Sequence, residues 1–274
     1  MKPVPFSHNI ADTLQLASKA LNTDGSKIIA GGQSIGPMLN LRLVRPTTLI
    51  GVTRLEELQK IHITGDTLSI GAAVTHARIE DGIDGVDLPP MMRHVARSIA
   101  YRAVRNKGTL GGSLAHADPA ADWVTTMTAL GAQLVIRDAR GKSRREPMAS
   151  FMRGAYRTGL QQDECITAVE MPVAMGQALW GYDKICRKVG EFADAIGAIV
   201  IHPDLKYARV VVGATEDAPL LLPDMAREIA RTATAPSLGD IDSTLATYLP
   251  GASRVKRQLL KTALSRAIAK VIPS

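Results

Sequence analysis

Two Gly-Gly pairs are the residues in this sequence best suited to hold a ligand. Gly31-Gly32 and Gly111-Gly112 each follow a short apolar stretch, and a small hydroxyl residue, Ser34 or Ser113, comes close behind. Glycine adopts positive φ and lets a ligand approach the backbone. A turn that exposes successive N–H groups before a helix suits an anion such as a pyrophosphate. The pattern fits a dinucleotide phosphate held between two loops, and it also fits two structural turns.

Neither pair matches a known nucleotide-binding signature. Residues 31–36 read G-G-x-x-x-G, whereas the Rossmann fingerprint is G-x-G-x-x-G and the P-loop ends in Gly-Lys-Ser/Thr. Two carboxylates, Asp118 and Asp122, follow the second pair. Both suit the positive end of a helix, and Asp122 is also a candidate acceptor for the hydroxyl groups of a ligand.

Residues for other kinds of chemistry are sparse. The six histidines show no HExxH motif and no paired metal-ligand spacing, and no G-x-S-x-G motif is present. The two cysteines, Cys165 and Cys186, are too few for a [2Fe-2S] cluster, which needs about four thiolates. We therefore predict no catalytic residue, no metal site and no iron–sulfur cluster on this chain.

The composition is that of a soluble globular protein, with 274 residues of which 46% are hydrophobic and 22% charged. The net charge of +7 is compatible with an acidic partner or nucleic acid, but only 4% of the residues are aromatic, which leaves little to stack on bases. The first ten residues lack the apolar region of a signal peptide, and the apolar run at 195–201 is too short to span a bilayer. We expect a cytoplasmic protein with no nucleic-acid partner and no membrane span.

Periodicity and capping signals place the glycine pairs among alternating strands and helices. Strands are predicted at 26–30, 47–52 and 66–74, and helices at 35–43 and 90–103.

The segments that follow carry their own start and stop signals. Thr75 suits the N-cap of a short helix. Asp118-Pro119 reads as an N-cap followed by Pro at the first helical position, and the helix it starts ends at Gly131. A hairpin around Arg140-Gly141 comes next.

The pattern changes near Pro172, where three strands without intervening helices are followed by three helices. The last helix, at 252–272, carries one apolar residue per turn on a single face. The residues of this face are Val255, Leu259, Ala263, Ala267 and Val271. Arg and Lys residues line the opposite face, which is either a solvated surface or a surface that docks a partner.

Six segments share the motifs of one known family. They are "AGGQS" at 30–34, "PTTLIGV" at 46–52, "IGAAVTHA" at 70–77, "SIAYRAVRNKGTLGGSLAHADPAAD" at 98–122, "ITAVEMP" at 166–172 and "YDKICRKVGEFADAI" at 182–196. Along nearly its whole length the chain resembles the FAD-binding medium subunit of the molybdenum hydroxylases. That family includes carbon monoxide dehydrogenase, bacterial xanthine dehydrogenase and related N-heterocycle hydroxylases.

The resemblance implies an α+β fold. Its first part is the two-subdomain FAD-binding fold of the two-loop (PCMH-type) flavoprotein superfamily, and its second part is a C-terminal three-stranded antiparallel sheet with helices. The implied domains are an N-terminal α/β FAD-binding subdomain at 1–56, a middle FAD-binding subdomain at 57–173 and a C-terminal α+β domain at 174–274.

The resemblance also implies a set of FAD-binding residues. The two glycine loops would embrace the diphosphate, Asp122 would bond ribose or ribityl hydroxyls, and four side chains would lie near the flavin ring. Of these four, Phe192 has ordinary core packing as its alternative. The implied residues are Ala30, Gly31, Gly32, Gln33, Ser34, Ile99, Thr109, Leu110, Gly111, Gly112, Ser113, Asp122, Ile166, Lys184 and Phe192.

One position departs from the family pattern, since the second loop usually reads Gly-Gly-Asn and this chain has Ser113. We expect FAD binding to survive this change, weakened by about 1 kcal/mol, the contribution of one ordinary hydrogen bond.

The function that the resemblance implies is electron transfer. A small subunit with two [2Fe-2S] clusters and a large subunit with molybdopterin would pass electrons to FAD on this chain and on to an external acceptor, in a dimer of heterotrimers. The alternative is a self-sufficient flavin-dependent oxidoreductase with its own substrate pocket. The sequence identifies neither the organic substrate nor the acceptor, because the substrate pocket would lie on another chain.

Overall fold

The structure, a computed structural model, describes residues 2–272. Eleven α-helices are found in these residues: α1 Leu14–Ala20, α2 Ile35–Asn40, α3 His76–Asp81, α4 Pro90–Ser98, α5 Arg102–Arg105, α6 Leu110–His116, α7 Asp122–Ala129, α8 Met148–Phe151, α9 Pro223–Thr232, α10 Leu238–Tyr248 and α11 Arg254–Ala269. Short 3-10 helices lie at Glu56–Leu58 and Val173–Gln177.

The described residues also form fourteen strands. They are β1 Ser7–Ile10, β2 Ser26–Ile29, β3 Thr48–Gly51, β4 Ile61–Thr64, β5 Thr67–Gly71, β6 Gln133–Arg137, β7 Ser143–Pro147, β8 Met152–Gly154, β9 Arg157–Thr158, β10 Cys165–Pro172, β11 Leu179–Ile185, β12 Ala195–His202, β13 Tyr207–Gly213 and β14 Leu220–Leu221. The strands β8 and β9 form a small hairpin, and the others belong to three larger sheets.

The first sheet is parallel, with the strand order β1-β3-β2. The hydroxyl of Thr13 caps α1 by accepting a hydrogen bond from the backbone N–H of Leu16. Leu14 and Ala17 on this helix are buried with Ile50 of β3 in a small apolar core. Burial of this face holds α1 on the sheet, so that the end of β2 and the glycine pair after it have a fixed position.

The second sheet is antiparallel, with the strand order β4-β5-β10-β6-β7. Strand β10 pairs with β5 on one side and with β6 on the other, and its register shifts between Ile166 and Ala168. The large core beside this sheet includes Met91, Leu110 and Trp123, all fully buried. These three residues lie on α4, α6 and α7, of which α6 contacts β10 while α4 contacts β11 and α7 contacts β12 and β13.

The third sheet has the strand order β11-β12-β13-β14 and is antiparallel. One face of it belongs to the same core as α7, and the other face is covered by α9, α10 and α11. Two glycines let α11 approach: a Cβ built on Gly197 would lie 2.5 Å from the Leu264 Cα, and one built on Gly181 would lie 1.9 Å from the Ala267 carbonyl oxygen. The mixed α+β architecture expected from the sequence is confirmed, with a fourth short strand, β14, added to the expected three.

Two expectations about helices were wrong. The helix expected at 90–103 ends at Ser98, because Ile99 is extended and Ala100 has φ +41°. On α11 the buried side chains are Leu260, Ala263, Leu264, Ala267 and Ile268. Of the apolar face expected from the periodicity, Ala263 and Ala267 are buried and Leu259 and Val271 pack against this core, whereas Val255 is 70% exposed. The buried residues follow the i, i+3, i+4, i+7, i+8 spacing of an amphipathic helix, and the glycines of β11 and β12 let this face approach the sheet closely.

The start of α7 also differs from the expectation. The helix begins at Asp122 with Ala121 as its N-cap, whereas Asp118 accepts a hydrogen bond from the Ala120 N–H in a separate turn. Three other sequence signals agree with the structure. They are the helix stop at Gly131, which has φ +69°, the N-cap at Thr75 and the hairpin of β6 and β7. In the described part of the chain, no helix combines the length and apolar character needed to cross a membrane.

Candidate functional site

The two glycine segments meet at one cavity of about 1010 Å³. They touch directly, because a Cβ built on Gly31 would lie 1.9 Å from the carbonyl oxygen of Lys107, just before the second segment. Residues 30–34 all line the cavity, and so do Thr109, Gly111, Gly112 and Ser113. The volume is at the upper end of the range of about 300–1,000 Å³ for small-molecule and cofactor sites, so an extended ligand such as a dinucleotide has room.

The first segment, residues 30–34, is an open turn between β2 and α2. Gly32 has φ +72°, a conformation that favours glycine. The Gln33 side-chain amide donates to the Gly31 carbonyl over 2.9 Å. Ser34 is the N-cap of α2, but its hydroxyl makes no capping bond. None of the N–H groups of residues 31–34 donates to another group in residues 2–272, so four donors at the cavity are available to a ligand.

The second segment, residues 109–113, has a different conformation although its sequence is similar. Gly111 and Gly112 lie in the first turn of α6 and are not a turn before a helix. The Gly111 N–H donates to the Ala72 carbonyl over 2.9 Å, and the Gly112 N–H donates to the Thr109 hydroxyl over 3.1 Å. The Ser113 N–H donates to the Thr109 carbonyl. The expectation that both pairs expose successive N–H groups was therefore wrong for this one.

Glycine is required in the second segment because of packing. A Cβ built on Gly111 would lie 2.5 Å from the Cβ of Ala72 and 2.8 Å from its carbonyl oxygen. Leu110 points into the core, is fully buried and does not line the cavity. What this segment offers a ligand is the surface of α6 and the hydroxyl of Ser113.

A buried ion pair lies where Asp122 meets the cavity. The Lys184 amine donates to Oδ1 and Oδ2 of Asp122 over 3.0 and 3.1 Å, and the Tyr182 hydroxyl donates to Oδ1 over 2.6 Å. The Asp122 and Lys184 side chains are each 7% exposed. Burial, followed by the charge of Asp122, raises the pKa of Tyr182. The hydrogen bonds from Lys184 and Tyr182 orient the Asp122 carboxyl group in the cavity wall, while Lys184 stands behind it and is not a lining residue.

The remaining expected residues lie at the two sides of the cavity. Ile99, between α4 and α5, and Ile166, buried on β10, both line it. Phe192 also lines it and is 65% exposed, so ordinary core packing does not describe its side chain. The structure brings together all fifteen expected positions except Leu110 and Lys184, which contact the lining residues from behind.

His76, which the sequence did not single out, lies beneath the second segment. Its Nδ1 accepts a hydrogen bond from the Trp123 indole N–H over 3.0 Å, and its backbone N–H donates to the Gly108 carbonyl over 2.9 Å. Burial, reinforced by the charge of Arg105, lowers the pKa of His76 to about 4. The ring is therefore neutral at pH 7, with Nδ1 as acceptor. His76 and Trp123 are 47 positions apart, so no local pattern indicates this pair.

The sequence did not predict one further group of residues that line the cavity. They are His116, Asp118 and Tyr156. The His116 and Tyr156 rings are 5.1 Å apart between centroids, and the Tyr156 hydroxyl donates to Asp118 over 3.3 Å. Cys165 lines the cavity too, but burial raises the pKa of its thiol to about 11, which keeps it unreactive. Residues 2–272 contain no group of three or more His, Cys, Asp or Glu side chains placed to hold a metal ion.

Comparison with known proteins gives the class of protein that this fold and cavity define. Residues 5–174 match the model of the FAD binding domain in molybdopterin dehydrogenase, and the chain belongs to that family. It is 32% identical over 225 residues to the caffeine dehydrogenase subunit beta of Pseudomonas sp. (strain CBB1), covering 80% of this chain and 76% of that one. It is 30% identical to the glyceraldehyde dehydrogenase medium chain of Sulfolobus acidocaldarius, covering 99% of this chain and all of the relative.

The fold similarity extends over the whole chain. The crystal structure of quinoline 2-oxidoreductase from Pseudomonas putida 86 superposes with a TM-score of 0.86 at 30% identity, covering 99% of this chain and 98% of that one. The resemblance noted from the sequence is therefore confirmed. The relatives are FAD-binding or medium subunits of molybdenum dehydrogenases that consist of several subunits, and this chain is an FAD-binding subunit of that kind.

The residues of the cavity fit the FAD that the family implies. The four N–H groups of residues 31–34 suit a diphosphate, the fixed carboxylate of Asp122 suits sugar hydroxyls, and apolar Ile99, Ile166 and Phe192 suit a flavin ring.

Proposed function

We propose that this chain binds FAD noncovalently in the cavity between the two glycine segments and serves there as the electron-transfer subunit of a heterotrimeric molybdenum hydroxylase. The single observation that carries the proposal is that residues 31–34 line a cavity of about 1010 Å³ and that their four N–H groups have no hydrogen-bond partner within residues 2–272. A run of free backbone donors at a turn binds a phosphate group without any charged side chain.

Each part of the cavity has its own task in this proposal. Residues 30–34 hold the diphosphate, and Ser113 adds a hydroxyl donor from α6 in place of the family's usual Asn. Asp122 accepts from the ribityl or ribose hydroxyls, with its orientation maintained by Lys184 and Tyr182. Ile99, Ile166 and Phe192 surround the flavin ring, and Lys184 influences the ring through Asp122.

The bound FAD supplies the redox chemistry, and the chain supplies its position and surroundings. The apolar side chains at the ring exclude water from it on the protein side. His76 stays neutral and supports the second segment through its hydrogen bonds, so that no titration at neutral pH changes the distance between the segments. None of these tasks needs a general acid or base on this chain.

We further propose that the partners are a small subunit with [2Fe-2S] clusters and a large subunit with molybdopterin, assembled as a dimer of heterotrimers in the cytoplasm. Electrons enter FAD from the clusters and leave to an external acceptor. Residues 1–56 and 57–173 form the two FAD-binding subdomains and residues 174–274 the C-terminal domain, a division that follows the extents of the three large sheets.

A titration of the purified chain with FAD tests the binding site. We expect one FAD per chain, quenching of flavin fluorescence on binding, and release of unmodified FAD by acid or heat. Asp122→Asn keeps the shape and removes the charge, and it should weaken binding by about 1–3 kcal/mol if the carboxylate accepts ligand hydroxyls. A wild-type chain that stays colourless in excess FAD would refute the proposal.

A further inference from the structure

An unusual turn connects α4 to α5 at the wall of the cavity. Ile99 is extended, and Ala100 has φ +41°, a region that non-glycine residues rarely adopt. Both residues line the cavity. Such a backbone conformation persists only where the surroundings enforce it.

The side chain of Arg105 enforces this turn. Its Nη1 donates to the Ile99 carbonyl over 2.9 Å and to the Ala100 carbonyl over 2.8 Å. Its other nitrogens, Nε and Nη2, donate to the two carboxylate oxygens of Glu80 over 2.7 and 3.2 Å. The Arg105 and Glu80 side chains are both 12% exposed. The planar guanidinium thus joins two backbone carbonyls to one carboxylate, which a lysine amine cannot do with the same geometry.

This turn also limits the position of residues 186–192, of which Gly190, Glu191 and Phe192 line the cavity. Ile99 forms an isolated parallel bridge with Gly190. Gly190 has φ +90°, and a Cβ built on it would lie 3.0 Å from the Ala100 carbonyl oxygen. Two residues further along is Phe192, which also lines the cavity. The position of the Ala100 carbonyl therefore limits where the 186–192 segment can lie.

We propose that Arg105, anchored by Glu80, is a positioning residue for the flavin end of the cavity. It fixes the Ile99–Ala100 turn and, through the close contact with Gly190, the segment that presents Phe192. The effect of Arg105 on the placement of the flavin ring rests on the proposed function. The linkage between the Ile99–Ala100 turn and residues 186–192 rests only on contacts within this chain.

The test compares Arg105→Lys with Arg102→Lys. Arg102 is the matched control because its guanidinium also donates to Glu80 and to Asp81 but reaches no carbonyl of the cavity wall. In the FAD-free chain, we expect Arg105→Lys to speed amide hydrogen exchange at residues 99–101 and 186–192, and Arg102→Lys to leave it unchanged. Unchanged exchange in Arg105→Lys would overturn the proposal.

The consequence for the cofactor is measured separately. We expect Arg105→Lys to weaken FAD binding about tenfold, in line with the loss of charge-assisted hydrogen bonds, while Arg102→Lys binds like wild type. At saturating FAD the visible circular dichroism of the bound flavin should also fall in Arg105→Lys, because the ring has a less fixed environment. Equal spectra in the two variants would refute the positioning role even if affinity differed.

A replacement variant and a measurement without FAD keep this proposal testable apart from the proposed function. If Arg105→Lys does not fold, Gly190→Ala replaces it, since the new Cβ pushes on the Ala100 carbonyl while Arg105 stays intact, and the same exchange and spectral changes are expected. If the wild-type chain binds no FAD, the proposed function fails. The exchange experiment then still decides whether Arg105 links the Ile99–Ala100 turn to residues 186–192.

Discussion

The two glycine segments share a Gly-Gly pair and a nearby serine, but each needs its glycines for a different structural reason. In the first, Gly32 has φ +72° and the N–H groups of residues 31–34 donate to no other group in the described part of the chain. In the second, Gly111 and Gly112 are helical, and their N–H groups are bonded within the protein. The first pair serves backbone conformation and ligand contact, whereas the second lets α6 approach Ala72.

This difference means that a shared motif does not establish a shared mechanism. The first segment can contact a phosphate through its backbone. The second acts as a wall that holds the first in place, since the Gly31 backbone rests against Lys107 and Gly108. Substitutions that look equivalent in the sequence should therefore affect cofactor binding and folding stability to different extents.

The largest effect is expected from Gly31→Ala. The added methyl group would lie 1.9 Å from the Lys107 carbonyl oxygen, a backbone atom, so the two segments must separate. Overpacking of this kind costs up to about 3 kcal/mol, which corresponds to a roughly hundredfold loss of FAD affinity. Gly36→Ala is the control, because nothing lies within 4 Å of its added Cβ. Equal FAD dissociation constants for both variants would show that contact between the segments is irrelevant.

The next effect is a pH dependence of folding stability that arises from His76, beneath the second segment. His76 has a pKa of about 4 in the folded chain and about 6.5 when unfolded. The unfolded chain therefore takes up a proton first as the pH falls, and stability present above pH 6.5 is lost progressively down to pH 4. We expect a loss of about 2 kcal/mol between pH 7.5 and pH 5.

Chemical denaturation at a series of pH values measures this loss. His76→Asn should flatten the curve between pH 7.5 and pH 5 while retaining an acceptor for Trp123. His62→Asn, at an exposed position on β4, should leave the curve as in wild type. A His76→Asn curve that is parallel to the wild-type curve would contradict the assignment of the buried neutral ring.

A smaller effect is expected from Gly32→Ala. The new methyl group has room, since its nearest neighbour is Ile29 at 3.4 Å, but φ +72° disfavours alanine. The left-handed conformation costs about 1–2 kcal/mol, so FAD affinity measured by fluorescence titration should fall about tenfold. A loss as large as that of Gly31→Ala would mean that the open turn is as tightly packed as the contact between the segments.

The smallest effect on the cofactor is expected from Thr109→Val, which removes the hydroxyl that caps α6. Loss of an N-cap costs about 1 kcal/mol of folding stability, and FAD affinity should stay close to that of wild type. Ser34→Ala is the counterpart in the first segment, where the hydroxyl makes no capping bond. Thermal unfolding should therefore shift for Thr109→Val and not for Ser34→Ala, and the reverse result would interchange the roles of the two segments.

Local signals in the sequence predicted the structure correctly where it depends on residues close in the chain. The Thr75 cap, the stop at Gly131 and the hairpin of β6 and β7 follow from side chains and backbone conformations within a few positions. The motifs around the glycine pairs were also sufficient to identify the family.

The features that the sequence did not predict depend on distant partners. The chain leaves the helix at Ile99 because Arg105 and Gly190 hold the turn. Gly111 lies inside a helix because the Ala72 carbonyl accepts its N–H. Neither contact is visible in the local pattern, and the same holds for the pairing of Asp122 with Lys184, 62 positions away.

The most direct test of the central claim is flavin reduction in the reconstituted complex. The FAD-loaded chain is mixed with the proposed iron–sulfur and molybdenum subunits, and flavin absorbance is followed after adding candidate N-heterocycles, aldehydes or CO. We expect bleaching that depends on substrate and occurs only when all subunits are present, because in the proposed function electrons enter FAD from the clusters of the small subunit. Bleaching of the isolated chain by an organic substrate would contradict this account and identify a self-sufficient flavoenzyme.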